Sequence, residues 1–383
     1  TVDGKSQVQQ QDRKGTGMCL GPCGLSLGVR HHLVAPFGRE PDPKIQRTFP
    51  LDRDGAKAYR VFEYRDRDYR GELLPLGAWV GISGAAFTTG TGMRTSIGLS
   101  LLAGLANVRL GYWWDSNVAV DRRPEAAKRR RGFLELLARW FPVQGSLLDE
   151  LLARFPGTSR KHWYLSDGGH FENMGGYELL RRRLPLIVVI DAEADPDYTY
   201  GGLANLVRKA RLDFGAEIEF LSPKEIDEEL PPEVACHVGS LEQLRRGRWK
   251  RSQPDSDEKT QQRRRPEADF EAGERTGRCL VHAALARVIY DDGTQSRLLY
   301  VKPSLFGDEP EDVLDYHRQN PDFPQQTTAD QFFDEAQWES YRRLGEHIAM
   351  KIFQPEGEGE DHWPPFWNPG RLQCPPREVT QTR

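Results

Sequence analysis

The chain has no long apolar run, few cysteines and no excess of one charge, and each shortage removes a class of protein. A membrane-spanning helix needs about 20 mostly apolar residues. The best stretch, Thr95 to Trp114, is interrupted by Asn107 and Arg109 and is rich in Gly, Ala and Ser, which suits a core helix. Five cysteines, at 19, 23, 236, 279 and 374, are an odd number thinly spread over 383 residues, which argues against a disulfide framework and fits a reducing compartment. Cys19 and Cys23 have no second pair at metal-ligand spacing, so no zinc site is expected there. With 53 basic and 57 acidic residues the net charge is -4, and no global field points to nucleic acid. Neither a signal peptide nor a phosphate-binding glycine loop is visible. The first residue is not methionine, and the chain reads as part of a longer one.

What is present is a mosaic of core-forming and polar segments. Residues 1–72 are polar and turn-rich and are expected to be a poorly ordered lead-in, and apolar content begins at Leu73. Residues 73–222 read as an α/β core. They hold an apolar run from Leu76 to Phe87, helices over Ser96–Val108, Gly132–Phe141 and Ser146–Phe155, the last with Ser146 as its cap, and then strand His162–Leu165, helix Gly176–Arg183 and strand Leu186–Ile190. A helix from Gly202 to Phe214 and a strand from Glu217 to Leu221 follow. The strand–helix–strand order predicts a mostly parallel sheet. Residues 223–277 are charged enough to predict a solvated, largely disordered insertion. In 278–353, Asp291-Asp292-Gly293 marks a hairpin between Val281–Tyr290 and Arg297–Val301, and a helix runs from Thr328 to Ile352. Residues 354–383 read as a Pro-rich flexible tail.

One segment concentrates the chemistry. After the aromatic strand His162-Trp163-Tyr164-Leu165 comes Ser166-Asp167-Gly168-Gly169-His170-Phe171-Glu172-Asn173. The two glycines permit a sharp reversal, so Asp167 is presented at a strand's end, where a carboxylate can take a proton from a hydroxyl or orient a base. A serine hydrolase also needs a nucleophile on a tight strand-to-helix turn and backbone donors for the oxyanion. Gly24-Leu25-Ser26-Leu27-Gly28 is a literal nucleophile-elbow match, but glycine and proline break the sequence before it and no long helix follows. Ser83, in Gly81-Ile82-Ser83-Gly84, lacks the second elbow glycine. His170 is too near Asp167 in sequence for a triad base and reads as a turn residue. Asp191, after the strand Leu186–Ile190, is the alternative acid, with a turn-capping role favoured; Glu172, Asn173 and Asp195 are further polar groups near strand ends. The basic clusters Arg122-Arg123, Lys128–Arg131 and Arg181–Arg183 could meet a phospholipid headgroup or an anionic membrane surface, or simply be solvated.

The segment around Asp167 resembles the aspartate motif of patatin-like phospholipases, in their large bacterial branch. The resemblance extends through Asp191-Ala192-Glu193-Ala194-Asp195-Pro196, Asn205 to Gly215, Tyr300 to Leu305 with Asp308-Glu309-Pro310, and Ala329 to Leu344, covering most of Gly77 to Phe353. It implies a three-layer α/β sandwich with a mostly parallel central sheet, incomplete at its N-terminal side. It also implies a lipid acyl hydrolase working with a Ser-Asp dyad, in which Asp167 is the dyad aspartate on the Gly168-Gly169 turn. Ser83, Gly84, His170 and Asn173 would then line the pocket, and the serine would lie upstream. Lipid ester or phospholipid is the implied substrate, with no cofactor and no metal. The expected location is the cytoplasm or the cytoplasmic membrane face. Two other readings remain open: a degenerate, non-catalytic membrane-surface or scaffold protein, and a lipid acyltransferase.

Overall fold

The computed structural model describes residues 15–21, 24–27, 31–34, 60–63, 74–89, 96–106, 110–115, 141–155, 162–246, 281–327 and 332–353. The chain is mixed α/β and divides into two compact units, Thr1–Asn173 and Met174–Arg383. The expected helix Gly132–Phe141, apart from Phe141 itself, the clusters at 122–123 and 128–131, and the tail after 354 lie outside the described residues.

The first unit opens with strands β1 (Met18–Gly21), β2 (Gly24–Leu27), β3 (His31–Val34) and β4 (Arg60–Glu63), hydrogen-bonded in that order. β1–β2 and β2–β3 are antiparallel, and β3–β4 is parallel. They fall inside the stretch expected to be poorly ordered. Its average polarity hid short alternating segments such as Gly24-Leu25-Ser26-Leu27, whose Leu27 packs into a cluster with Trp79, Trp114, Trp163 and Leu165. Helix α1 (Leu76–Ser83) follows Pro75, and α2 (Ile97–Leu105) is capped by Ser96, whose hydroxyl accepts from Leu99 N at 3.2 Å. Helix α3 spans Pro142–Leu151, four residues earlier than predicted. Pro142, with its preset φ at the first helical position, starts it, so Ser146 lies inside the helix rather than capping it. Strands β5 (Tyr112–Asp115) and β6 (His162–Leu165) form a separate antiparallel pair.

The second unit is built on β7 (Leu186–Ile190), β8 (Glu217–Phe220), β9 (Val238–Gly239), β10 (Ala283–Ile289) and β11 (Gln295–Val301). The order is β7-β11-β10-β8, with β9 beside β10. β7–β11 and β9–β10 are parallel, whereas β10–β11 and β10–β8 are antiparallel. The sheet is therefore mixed in direction, not mostly parallel. The hairpin β10–β11 causes this: Gly293 adopts a φ of 80°, the chain reverses direction there, and β11 then lies between β10 and β7. The strand–helix–strand reading also changes, since β6 pairs with β5 and β7 with β11.

Helices α4 (Gly176–Arg181) and α5 (Gly201–Phe214) flank β7 in sequence. α5 buries Leu203, Leu206 and Ala210, spaced for one helical face, and stops at Gly215, in the left-handed region at φ 60°. Residues 223–246, predicted as part of a disordered insertion, hold α6 (Pro223–Glu229), α7 (Pro232–Ala235), β9 and α8 (Leu241–Arg246). A capping box starts α6: Ser222 and Glu225 bond each other's backbone N–H, and Ile226 enters the core. Glu229 ties the helix to the sheet through Arg287 and Arg297, each at 2.7 Å. Helix α9 (Glu311–Gln319) precedes α10 (Glu335–Ile352), which begins seven residues later than predicted because Asp334 caps it, accepting from Gln337 N at 2.7 Å. α10 buries Ser340, Leu344, Ile348 and Ile352 at four-residue spacing.

At the end of β11 the core holds an ion pair. Lys302 is 0% exposed and its Nζ lies 3.4 Å from Asp191 Oδ2, while Tyr300 donates its hydroxyl proton to the same oxygen. Asp191 Oδ1 accepts from Glu193 N at 2.9 Å, and Lys302 also donates to Glu193 O at 3.0 Å. Burial first and the Asp191 charge second push the Tyr300 phenol up, so it stays a donor. Removing one partner of such a pair strands a buried charge. Lys302→Met is expected to cost about 3–5 kcal/mol in urea unfolding followed by circular dichroism. Adding Asp191→Asn should recover part of that loss.

Candidate active site

The aspartate turn rests on aromatic packing. On β6, Trp163 and Leu165 point inward, and Trp163 meets Trp114 of β5 edge-on at 5.4 Å. Trp114 in turn meets Trp79 of α1 edge-on at 5.1 Å. Each such pair adds about 0.5–1.5 kcal/mol to the burial of its rings. The strand and the end of α1 are thereby fixed around one cluster, and the chain leaves β6 at a defined point.

Asp167 then caps a single turn of 3-10 helix, Gly168–His170. Its Oδ1 accepts from Gly169 N at 2.6 Å, and its carbonyl accepts from His170 N at 3.3 Å. Oδ2 has no hydrogen-bond partner among the described residues. The side chain is half-buried, so one oxygen is fixed and the other is available. Glycine is needed at 169 for space: a Cβ there would lie 2.6 Å from Asn173 Oδ1 and 3.0 Å from Asp167 Oδ1. A Cβ on Gly168 would lie 3.8 Å from Ser83 Oγ. The structure thus gathers Ser83, Asp167, Gly168, Gly169 and Asn173 at one turn, with Ser83, Gly84 and Asn173 exposed.

The remaining candidates separate cleanly. The ring of His170 lies with its Nδ1 3.3 Å from Ser166 Oγ, within the same turn, and makes no bond to the Asp167 carboxylate. Ser26 is 1% exposed in the middle of β2, between partner strands, and the next described element is a strand; this is not a nucleophile elbow. Asp191 is sealed by Tyr300 and Lys302 and closes its own turn. Asp195 also serves its turn, accepting from Thr199 N, Thr199 Oγ1 and Tyr200 N; burial pulls its carboxyl up, and these bonds together with Lys302 outweigh that and hold it below its usual range. Glu172 is buried. The Arg181–Arg183 cluster is not a free basic face: Arg181 and Arg182 bond Glu178, and Arg183 pairs with Asp292.

The first unit also holds a carboxylate that its sequence does not single out. Glu150 of α3 is buried, and it accepts from Thr89 Oγ1 at 3.1 Å and Trp113 Nε1 at 2.8 Å. Thr88 and Thr89 also bond Tyr164 of β6, and Ser100 of α2 donates to Thr89 O at 2.7 Å. Burial pushes the Tyr164 phenol up. The partners of Glu150 come from separate elements at no fixed spacing, so only their assembly reveals it. The network joins α2, α3, β5 and β6 and so braces the strand that leads into Asp167.

A second missed group lies in the other unit, where Asp308, Glu309 and His347 place one ligand atom each within 4.8 Å of one another.

Comparison with protein-family models, with curated proteins and with solved structures finds no match. No helix among the described residues is long and apolar enough to cross a membrane.

Truncating Glu150 to Ala would strand the Thr89 and Trp113 donors, at a cost of about 1–3 kcal/mol. Thermal unfolding should rank wild type above Glu150→Gln, which keeps one acceptor, and Glu150→Gln above Glu150→Ala.

Proposed function

We propose that this chain is the aspartate-bearing part of a patatin-like lipid acyl hydrolase with a three-layer sandwich fold, and that Asp167 is the acid of its Ser-Asp dyad. The observation that carries the reading is the Asp167 carboxylate itself, held by Gly169 N–H through Oδ1 at the end of a packed strand and open at Oδ2. A carboxylate so placed can accept a proton from a serine hydroxyl within roughly 2.6–3.2 Å. The resemblance puts that serine upstream of Thr1. Its Oγ would attack the ester carbonyl, and the proton taken by Asp167 would pass to the leaving alcohol. Water, deprotonated by the same carboxylate, would then release the fatty acid from the acyl-enzyme.

The surface of the first unit supports a lipid-facing role. Leu76 and Val80 on α1, Ile97, Leu102 and Leu105 on α2, and Val143 and Leu148 on α3 are exposed large apolar side chains. Exposed apolar side chains on three helices of one unit can meet an apolar partner such as an acyl chain. A substrate with acyl chains matches them better than a polar ester does.

In the protein carrying its upstream sequence, Asp167→Asn should lower phospholipid or lipid-ester hydrolysis by about 10²-fold or more, because the isosteric amide cannot take the proton. The variant should unfold at the wild-type temperature. Near-normal turnover by this variant would sink the assignment.

A further inference from the structure

One helix of the first unit has its faces reversed. A surface helix in water turns its large apolar residues inward and its small or polar ones outward. In α2, Ser100 is 0% exposed and donates to Thr89 O at 2.7 Å, and Ala103 and Gly104 are half-buried. Ile97, Leu99 and Leu101 are exposed, and Leu102 and Leu105 are 66% and 76% exposed. Gly104 lets the helix lie close to α3, since a Cβ there would stand 2.4 Å from Leu151 Cδ2. The apolar stretch that its sequence marks as a core helix therefore holds its small residues against the protein and presents its leucines to the outside.

Charge points the same way. The chain is 29% charged, so a stretch as long as residues 73–108 would carry about ten charges at that density, yet it carries one, Arg94. Neither α1 nor α2 contains a charged residue. A surface that meets another folded protein is enriched in aromatic residues, methionine and arginine and has a polar rim. The exposed large residues of α2 are leucine and isoleucine only. Small residues toward the protein and large aliphatics away from it is the arrangement of helices that face lipid.

We propose that α2 is a monotopic membrane anchor, which seats its aliphatic face in the hydrocarbon of one leaflet of a bilayer. The partner is the acyl-chain layer and not headgroup charge, because α2 has no cation to offer a headgroup. Its length excludes a span: nine residues rise about 14 Å, against about 30 Å of hydrocarbon. Each leucine transferred from water to that layer strengthens binding about 10-fold or more. The inference stands on the composition and exposure of α2. The lipid acyl hydrolase reading would place its ester in the same layer, and the anchor does not depend on it.

The test is co-sedimentation with phosphatidylcholine vesicles, which carry no net charge, for the whole chain and for the protein carrying its upstream sequence. Both are expected to bind, with less than about a twofold change between about 0.05 and 0.5 M salt. Leu102→Glu and Leu105→Glu should each weaken binding about 10-fold or more and, at exposed positions, unfold at the wild-type temperature. Trp338→Glu, at an exposed apolar site of the second unit, should bind as wild type does. No hydrolysis is read, so the result is independent of whether Asp167 proves catalytic. The proposal is overturned if the longer protein does not bind neutral vesicles, if binding needs anionic lipid and vanishes with salt, or if Leu102→Glu and Leu105→Glu bind as wild type does. It is equally overturned if Trp338→Glu weakens binding as much as they do, or if sedimentation equilibrium without lipid shows a dimer that Leu102→Glu disperses, which would give the face to a second copy.

Discussion

The edge-to-face packing of Trp79, Trp114 and Trp163 is the constraint on which the aspartate turn depends. Those rings come from α1, β5 and β6, and their burial fixes where the strand ends and where α1 stops. Only because both ends are fixed does Ser83 Oγ lie beside Gly168, and only because Gly169 lacks a side chain can Asp167 and Asn173 close on the same backbone position. The Glu150 network is the polar half of the same brace, exchanging bonds with Thr89, Trp113 and, through the threonines, Tyr164. Its burial raises the cost of any misplacement, since Thr89, one of the donors it satisfies, is buried with it.

The second unit solves a different problem. Its hairpin sends β11 between β10 and β7, and the strand then ends on Lys302, which lies fully inside the core with Asp191 and Tyr300. A buried lysine and aspartate contribute less to stability than an apolar pair of similar volume would, so their value lies in fixing how β7 and β11 finish. The Asp191–Pro196 turn after β7 is held by the same group, through Glu193 and through the electrostatic pull of Lys302 on Asp195. This is the structural meaning of an acidic motif that, in sequence, could also have been a catalytic one.

Parts of this were legible in the residues. Leu186 to Ile190, the helix ending at Gly215 and the hairpin at Asp291-Asp292-Gly293 carry local signals strong enough to survive tertiary context. Ser222-Pro223-Lys224-Glu225 was equally explicit as a capping box, yet the charged composition around it masked the signal. Strand direction was not legible, because it depends on which strand β11 joins and not on any segment's own pattern. The aspartate turn could be read, since all its parts lie in one short stretch, 167 to 173. Glu150 with Thr89, and Asp308 with His347, could not: they are 61 and 39 residues apart, and no spacing rule connects them.

The central claim is that Asp167 serves a serine upstream of this chain, and not Ser26, Ser83 or Ser166. Labelling the longer protein with a fluorophosphonate probe and mapping the adduct by mass spectrometry tests it most directly. One labelled serine is expected, upstream of Thr1, with no adduct anywhere between Thr1 and Arg383. An adduct on Ser26, Ser83 or Ser166 would contradict the claim, and so would an active protein in which no serine is labelled.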